Sequence, residues 1–271
     1  SSFLWGYTLF QFPGGLLSEK IGPKSTLILC TVGCTLITII SGLIVLGGFS
    51  VALMIPLLFI CRFLLGAFQG PLFPATAGGV IARWFPSGSW ALPNGMTSTA
   101  LALGSASTPP IIVYLAEYFG WQSTFFLISI LGVIGTLIWW KYSTNWPNEH
   151  PDINHSELEL IGEPDFNNNQ MTWPMVKEVL SNKNILFTAL GYMSMNYVFF
   201  IFYSWIFIYF VNIRGFNILE GSMLASLPFL MGAIGATCGG YLCDRLQKRF
   251  GVIWGHRIPV IIGLIPSAGF L

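Results

Sequence analysis

The chain has 271 residues, 54% of them hydrophobic and only 8% charged, at a mean hydropathy of +0.70; soluble domains carry roughly 25% charged residues. A water-soluble globular enzyme is all but excluded. The 12 Lys and Arg nearly cancel the 11 Asp and Glu, to a net +1, which leaves no basic field for nucleic acid and no acidic tail for basic partners.

Charge-free runs over residues 25–61, 63–82, 84–116, 118–140, 184–213 and 221–243 each reach the ~20 residues that carry a helix across a bilayer. The pattern is that of an all-α, multi-pass membrane protein, without the ~10-residue alternating strands of a membrane β-barrel. In chain order the expected membrane segments are 1–17, 25–46, 53–82, 92–116, 123–140, 185–211, 220–243 and 258–271, punctuated by Gly, Pro and charge. The chain opens and closes inside apolar stretches, so its end segments are expected to be incomplete and the chain to be a piece of a longer protein. The third segment exceeds what a bilayer needs, and Pro71 and Pro74 should bend it. Cys30, Cys34, Cys61, Cys238 and Cys243 lie in or beside apolar runs and read as packing residues.

Basic charge is distributed unequally. Lys20, Lys24, Arg83, Lys141, Lys177, Lys183, Arg245, Lys248, Arg249 and Arg257 fall in alternate loops, and the opposite loops hold only Arg214. The positive-inside rule places the first set in the cytoplasm. The stretch 143–183, rich in Asn, Pro and acids, then becomes a cytoplasmic linker between a bundle at 1–142 and another at 184–271. His150, His155 and His256 lack further ligands at metal spacing and read as solvated surface residues. Trp139, Trp140 and Trp146 read as an interfacial belt.

One polar motif occurs twice. Gly15-x-Leu17-x-Glu19-Lys20, with Lys24, recurs as Gly240-x-Leu242-x-Asp244-Arg245, with Arg249, at a constant offset of 225 residues. Both copies follow equivalent segments, so the repeat unit is six helices and two parallel six-helix bundles are implied. Glu19, Lys20, Lys24, Arg83, Asp244, Arg245 and Arg249 are acids and bases gathered at the expected cytoplasmic segment ends.

The string Trp5-Gly6-Tyr7-x3-Gln11-x-Pro13-Gly14-Gly15, continued through Ser18-Glu19-Lys20-x-Gly22-x-Lys24, resembles the second helix and following loop of the major facilitator superfamily. More narrowly it is similar to the anion:cation symporter family, which includes bacterial hexonate and phthalate permeases and animal vesicular anion carriers. Arg62-x3-Gly66 with Pro71 and Pro74, Phe119-Gly120-Trp121, Asn196-Tyr197, Trp205 with Tyr209, and Leu227-Pro228-Phe229 through Asp244 and Arg245 agree. The resemblance implies helices two to eight and the start of nine of a twelve-helix carrier. It implies secondary transport of a small organic anion, a sugar acid or aromatic acid, by alternating access with H+ or Na+ as coupling ion. It further implies no cofactor, a monomer, and a place in the bacterial plasma membrane. For Glu19, Lys20, Lys24, Arg83, Asp244, Arg245 and Arg249 it implies a gating set that holds the cytoplasmic face shut until the halves rock, with Arg83 a partner for Glu19. Three positions depart from the family pattern: Gln69 stands where a glutamate is usual, Leu101 where a binding-site glutamine is common, and Phe207 where a proline is common.

Arg62 is the one charge inside an apolar core, and near midplane it costs at least ~2.5–3.5 kcal/mol on insertion scales. Two partners suit it: a bound carboxylate, gripped through parallel hydrogen bonds, or an acid on a helix outside this chain. Gln69, seven residues on, returns to the same face ~10 Å nearer the cytoplasm; Gly66 and Gly70 equally mark part of that face as a packing surface. Tyr7, which the family pattern places at the central cavity, and Gln11 stand i, i+4. Tyr192, Asn196 and Tyr203 form a polar stripe on an otherwise Phe-rich segment, facing either a wet cavity or a helix contact. Arg62, Tyr7, Gln69, Asn196, Tyr203 and Gln11 are therefore the candidate substrate-binding set. A membrane enzyme would need a convergent nucleophile, base or metal set, and GxSxG, HExxH and CxxC are absent from the sequence. A ligand sensor or uncoupled facilitator of the same fold is the alternative to a coupled carrier, with Gln69 its only support.

Overall fold

A computed structural model describes residues 2–162 and 173–269; linker residues 163–172 lie outside the described residues. The described chain is helical throughout: α1 Ser2–Ile21, α2 Pro23–Leu46, α3 Val51–Trp84, α4 Ala91–Phe119, α5 Trp121–Tyr142, the short α6 His155–Ile161 and α7 Trp173–Ser181, α8 Lys183–Ile213, and α9 Ile218–Gly269, which breaks at Gly251. Six helices, α2, α3, α4, α5, α8 and α9, are long and apolar enough to cross a membrane. Large apolar side chains such as Leu101, Leu131, Phe187 and Ile253 are exposed along them, as expected where the solvent is lipid.

Helix ends follow the glycines. Gly22 (φ +87°) ends α1, and Gly251 (φ +78°) breaks α9, because only glycine enters this backbone region without strain. The position 225 residues after Gly22 is Gln247, which can stay helical, so the second copy of the motif runs about one turn further before it breaks. Glu19, Lys20, Asp244 and Arg245 accordingly sit in helix, not in the loops that the sequence reading gave them. Pro71 and Pro74 do not end α3 either. The helix turns at Gly70 and Pro71 and then widens into a π-helical stretch over Ala75–Ile81, a local adjustment of the kind that lets a membrane helix run on past proline.

With no water to exclude between helices in lipid, close backbone approach does the joining. α1 crosses α3 at glycine: a Cβ on Gly66 would overlap the Phe3 carbonyl, and one on Gly70 would lie 2.6 Å from the Tyr7 oxygen. Thus Gly66 and Gly70 are a packing pair. α2 lies between α3 and α5, with Thr26 and Cys30 fully buried and Ile37, Ile44 and Cys61 forming a core cluster. α4 packs along α9. Cβ atoms on Gly95 and Gly240 would each come within 2.7 Å of a carbonyl oxygen across this seam, and Thr99 both donates to the Ala233 carbonyl (3.0 Å) and meets the Thr237 hydroxyl at 2.6 Å.

Replacing Gly66 by leucine is expected to lower the melting midpoint of the detergent-purified protein by the equivalent of about 1–3 kcal/mol or more. Gly135→Ala, where an added Cβ meets open space, should leave it unchanged or raise it. Equal midpoints for the two variants would contradict the packing described.

Candidate functional site

Arg62 lies eleven residues into α3, roughly 16 Å from its outer end and so near the middle of a ~30 Å hydrocarbon layer. It is exposed, and among the described residues it makes no hydrogen bond or ion pair. It lines a cavity of about 360 Å3 walled by α2, α3, α4 and α5. Arg62 is the only charged residue in that wall, and Leu65, Ile112, Trp121, Phe125 and Ile128 make most of it apolar. The polar exceptions, Thr38, Ser41 and Thr124, each donate their hydroxyl to their own helix, to the carbonyls of Cys34 (2.8 Å), Ile37 (2.8 Å) and Gly120 (3.2 Å). Their oxygens remain acceptors, so the guanidinium is the strong donor on offer. A cavity of this size with one convergent charge suits a small organic anion.

The other candidate residues are placed elsewhere. Gln69 and Gln11 are half-buried, and Gln69 lines neither this cavity nor the inner one described below. Tyr7 pairs with the Gln11 side chain and lies within electrostatic reach of Tyr192 on α8. Asn196 donates its amide to the Tyr192 carbonyl one turn back at 2.9 Å. Tyr203 joins an aromatic cluster, 6.1 Å from Phe199, 6.3 Å from Phe200 and 6.0 Å from Phe229 of α9. The polar stripe on α8 is thus half satisfied from within the helix and half packed. Leu101 is 68% exposed on α4.

A second cavity, of about 270 Å3, opens between the C-terminal parts of α1 and α3, the ends expected to face inward, and is lined by Gln11, Ser18, Glu19 and Arg83 among others. Arg83 is only 5% exposed and lies within electrostatic reach of Glu19 and Glu149. Asp244 takes a role that the sequence reading did not assign. Its Oδ2 accepts the Leu92 N–H at 2.9 Å, capping α4, where a helix N-terminus presents unpaired donors and positive dipole. Lys20, Lys24, Arg245 and Arg249 form no ion pair within 4.0 Å among the described residues.

The start of the linker also differs from expectation. Trp146, expected in an interfacial belt, lies over the Arg83 guanidinium at 4.1 Å. His150, expected to be solvated, packs edge-on against Trp84 at 5.7 Å. The dense Trp-Pro-Asn-Glu-His-Pro run at 146–151 is the signal that could have shown a folded turn there.

These features define a multi-pass helical membrane protein in which α4 packs along α9 and Arg62 stands near the middle of α3. The sequence profile of the Major Facilitator Superfamily matches residues 1–271, and the chain belongs to that family. It is similar to the probable galactarate/D-glucarate transporter of Bacillus subtilis, at 32% identity over 100% of this chain and 61% of the relative. The hexuronate transporter of the same bacterium is 31% identical over 99% of this chain and 60% of its own length. A chloroplastic ascorbate transporter of Arabidopsis thaliana is 28% identical over 100% of this chain and 48% of its own. The chain spans about three fifths of the length of the bacterial relatives.

Replacing Asp244 by alanine should speed amide hydrogen exchange at Leu92 by roughly 2- to 30-fold, the ~0.5–2 kcal/mol of a lost helix cap. Asp244→Asn, which keeps an acceptor, should change it less. Unaltered exchange in Asp244→Ala would show that the cap contributes nothing.

Proposed function

We propose that the full-length protein is a secondary transporter that moves a small organic anion by alternating access between two helical bundles, 1–142 and 184–271, joined by the cytoplasmic linker 143–183. The observation that carries this reading is Arg62: a guanidinium near the middle of the membrane, without a protein partner among the described residues, in an apolar cavity of small-molecule size. A charge so placed calls for an anion. Similarity to transporters named for galactarate, glucarate and hexuronate points to a carboxylate, with a bacterial plasma membrane as the setting.

Tyr7, Gln11, Gln69, Asn196 and Tyr203 complete the binding set in this reading, supported by the contact of Tyr7 with Gln11 and its nearness to Tyr192 across the halves. Glu19 and Arg83, which share the inner cavity, gate the cytoplasmic side, and Asp244 does so by its hold on α4. The coupling ion is H+ or Na+. Gln69 hydrogen-bonds but carries no proton, so either another group carries it or the chain facilitates without coupling.

Uptake of labelled glucarate and galacturonate into liposomes holding the full-length protein separates these cases. Arg62→Lys, which loses bidentate geometry, should reduce uptake at least tenfold. An imposed pH gradient should drive accumulation in Gln69→Glu. If native Gln69 also concentrates substrate on that gradient, the proton is carried elsewhere; if it only equilibrates, the protein is a facilitator. Uptake unaffected by Arg62→Lys and Arg62→Ala would overturn the assignment.

A further inference from the structure

The residues that follow α5 form a compact turn held by its own side chains. The Glu149 carboxylate accepts the N–H groups of Asn145 and Trp146, both at 3.2 Å, and the Thr144 hydroxyl donates to the Trp146 carbonyl at 2.9 Å. This turn reaches two neighbouring helices. The Asn145 Oδ1 accepts the Lys24 N–H at 3.0 Å, in the first turn of α2. Gly22, with φ +87°, has no room for a side chain there: the Asn145 amide occupies the place its Cβ would take. The Asn145 carbonyl faces Arg83 Nη1 at 3.5 Å, and the Trp146 ring covers the guanidinium at 4.1 Å. His150 closes the turn: its ring abuts Trp84, Nε2 faces the Tyr142 carbonyl at 3.2 Å and Nδ1 accepts the Asp152 N–H at 3.3 Å.

We propose that residues 145–150 are a clamp that positions Arg83 at the Glu19 cavity and thereby sets how tightly the cytoplasmic side of the first bundle closes. Arg83 lies in the last short α-helical turn, Ala82–Trp84, directly after the π-helical stretch Ala75–Ile81, so irregular backbone bonding precedes it and only three residues of regular helix carry it. The clamp supplies the missing definition from three directions: an aromatic face, a carbonyl, and the Trp84 contact one residue on. A planar guanidinium covered on one face by an aromatic ring presents its N–H groups at its edge, the direction from which a carboxylate is recognised. In this arrangement the linker is part of the gate and not only a tether. Asn145, Trp146 and His150 are positioning residues, since none of them lines the Arg62 cavity.

The inference rests on the reading of Glu19 and Arg83 as a cytoplasmic gate, and the test separates the two. In the full-length protein with its native cysteines replaced, a single cysteine is placed at Gly78, which lines the inner cavity and where an added Cβ meets open space. Its labelling rate by a membrane-impermeant maleimide in inside-out vesicles is measured for Arg83→Gln, Trp146→Ala, Trp146→Phe and Asn145→Ala, alongside glucarate affinity. Arg83→Gln and Trp146→Ala should raise labelling roughly 3- to 30-fold, with Asn145→Ala intermediate, Trp146→Phe near the parent and glucarate affinity unchanged. An increase in Arg83→Gln with none in well-folded Trp146→Ala or Asn145→Ala overturns the clamp and leaves the gate. No increase in Arg83→Gln overturns the gate and the clamp with it. If Trp146→Ala does not fold, Asn145→Ala against Trp146→Phe decides by the same criterion.

Discussion

Everything in this structure depends on how closely two backbones approach in a medium that offers them no water. Lipid gives helices no hydrophobic reason to associate, so contact distance must supply the attraction. At Gly66 and Gly70 the α3 backbone lies against the carbonyls of Phe3 and Tyr7, and at Gly95 and Gly240 α4 lies against α9. The first crossing places Tyr7 and Gln11 beside α3, and the second joins α4 to α9. A methyl group at either crossing separates the helices that carry the site.

Charge is the second constraint, and it acts by scarcity. With a single ionised residue near the middle of the apolar spans, α3 places Arg62 where its field is poorly screened, and the hydroxyls around it are turned to their own helices. At the inner end the charges serve a different purpose. Asp244 holds the start of α4, and Arg83 lies between Glu19, Glu149 and an indole face. One polar motif, used twice in the chain, has thus been given different lengths of helix by a glycine at 22 and a glutamine at 247.

Much of this was legible in the residues. The six long apolar helices, the family and the isolation of Arg62 follow from charge-free length and motif chemistry, because the bilayer penalises anything else. Helix ends were less legible: Glu19 and Asp244 looked like loop residues, since polar side chains mark loops unless a positive-φ glycine further on sets the true end. The role of the 146–151 run was also hidden, because hydropathy reads a Pro- and Asn-rich stretch as a tether and gives no hint that Trp146 covers a cation 63 positions earlier. Nor does the sequence order the neighbours of the α8 stripe: it does not show that the Tyr203 ring lies 6.0 Å from Phe229 or that Asn196 donates to the Tyr192 carbonyl.

The central claim is that Arg62 holds an anion by its charge. The most direct measurement is equilibrium binding to the purified full-length protein of glucarate and of its uncharged diamide, for wild type and Arg62→Ala. Wild type should prefer the carboxylate by about 10- to 100-fold, the worth of a charge-assisted pair, and Arg62→Ala should bind the two alike. An undiminished preference for the carboxylate in Arg62→Ala would contradict the account.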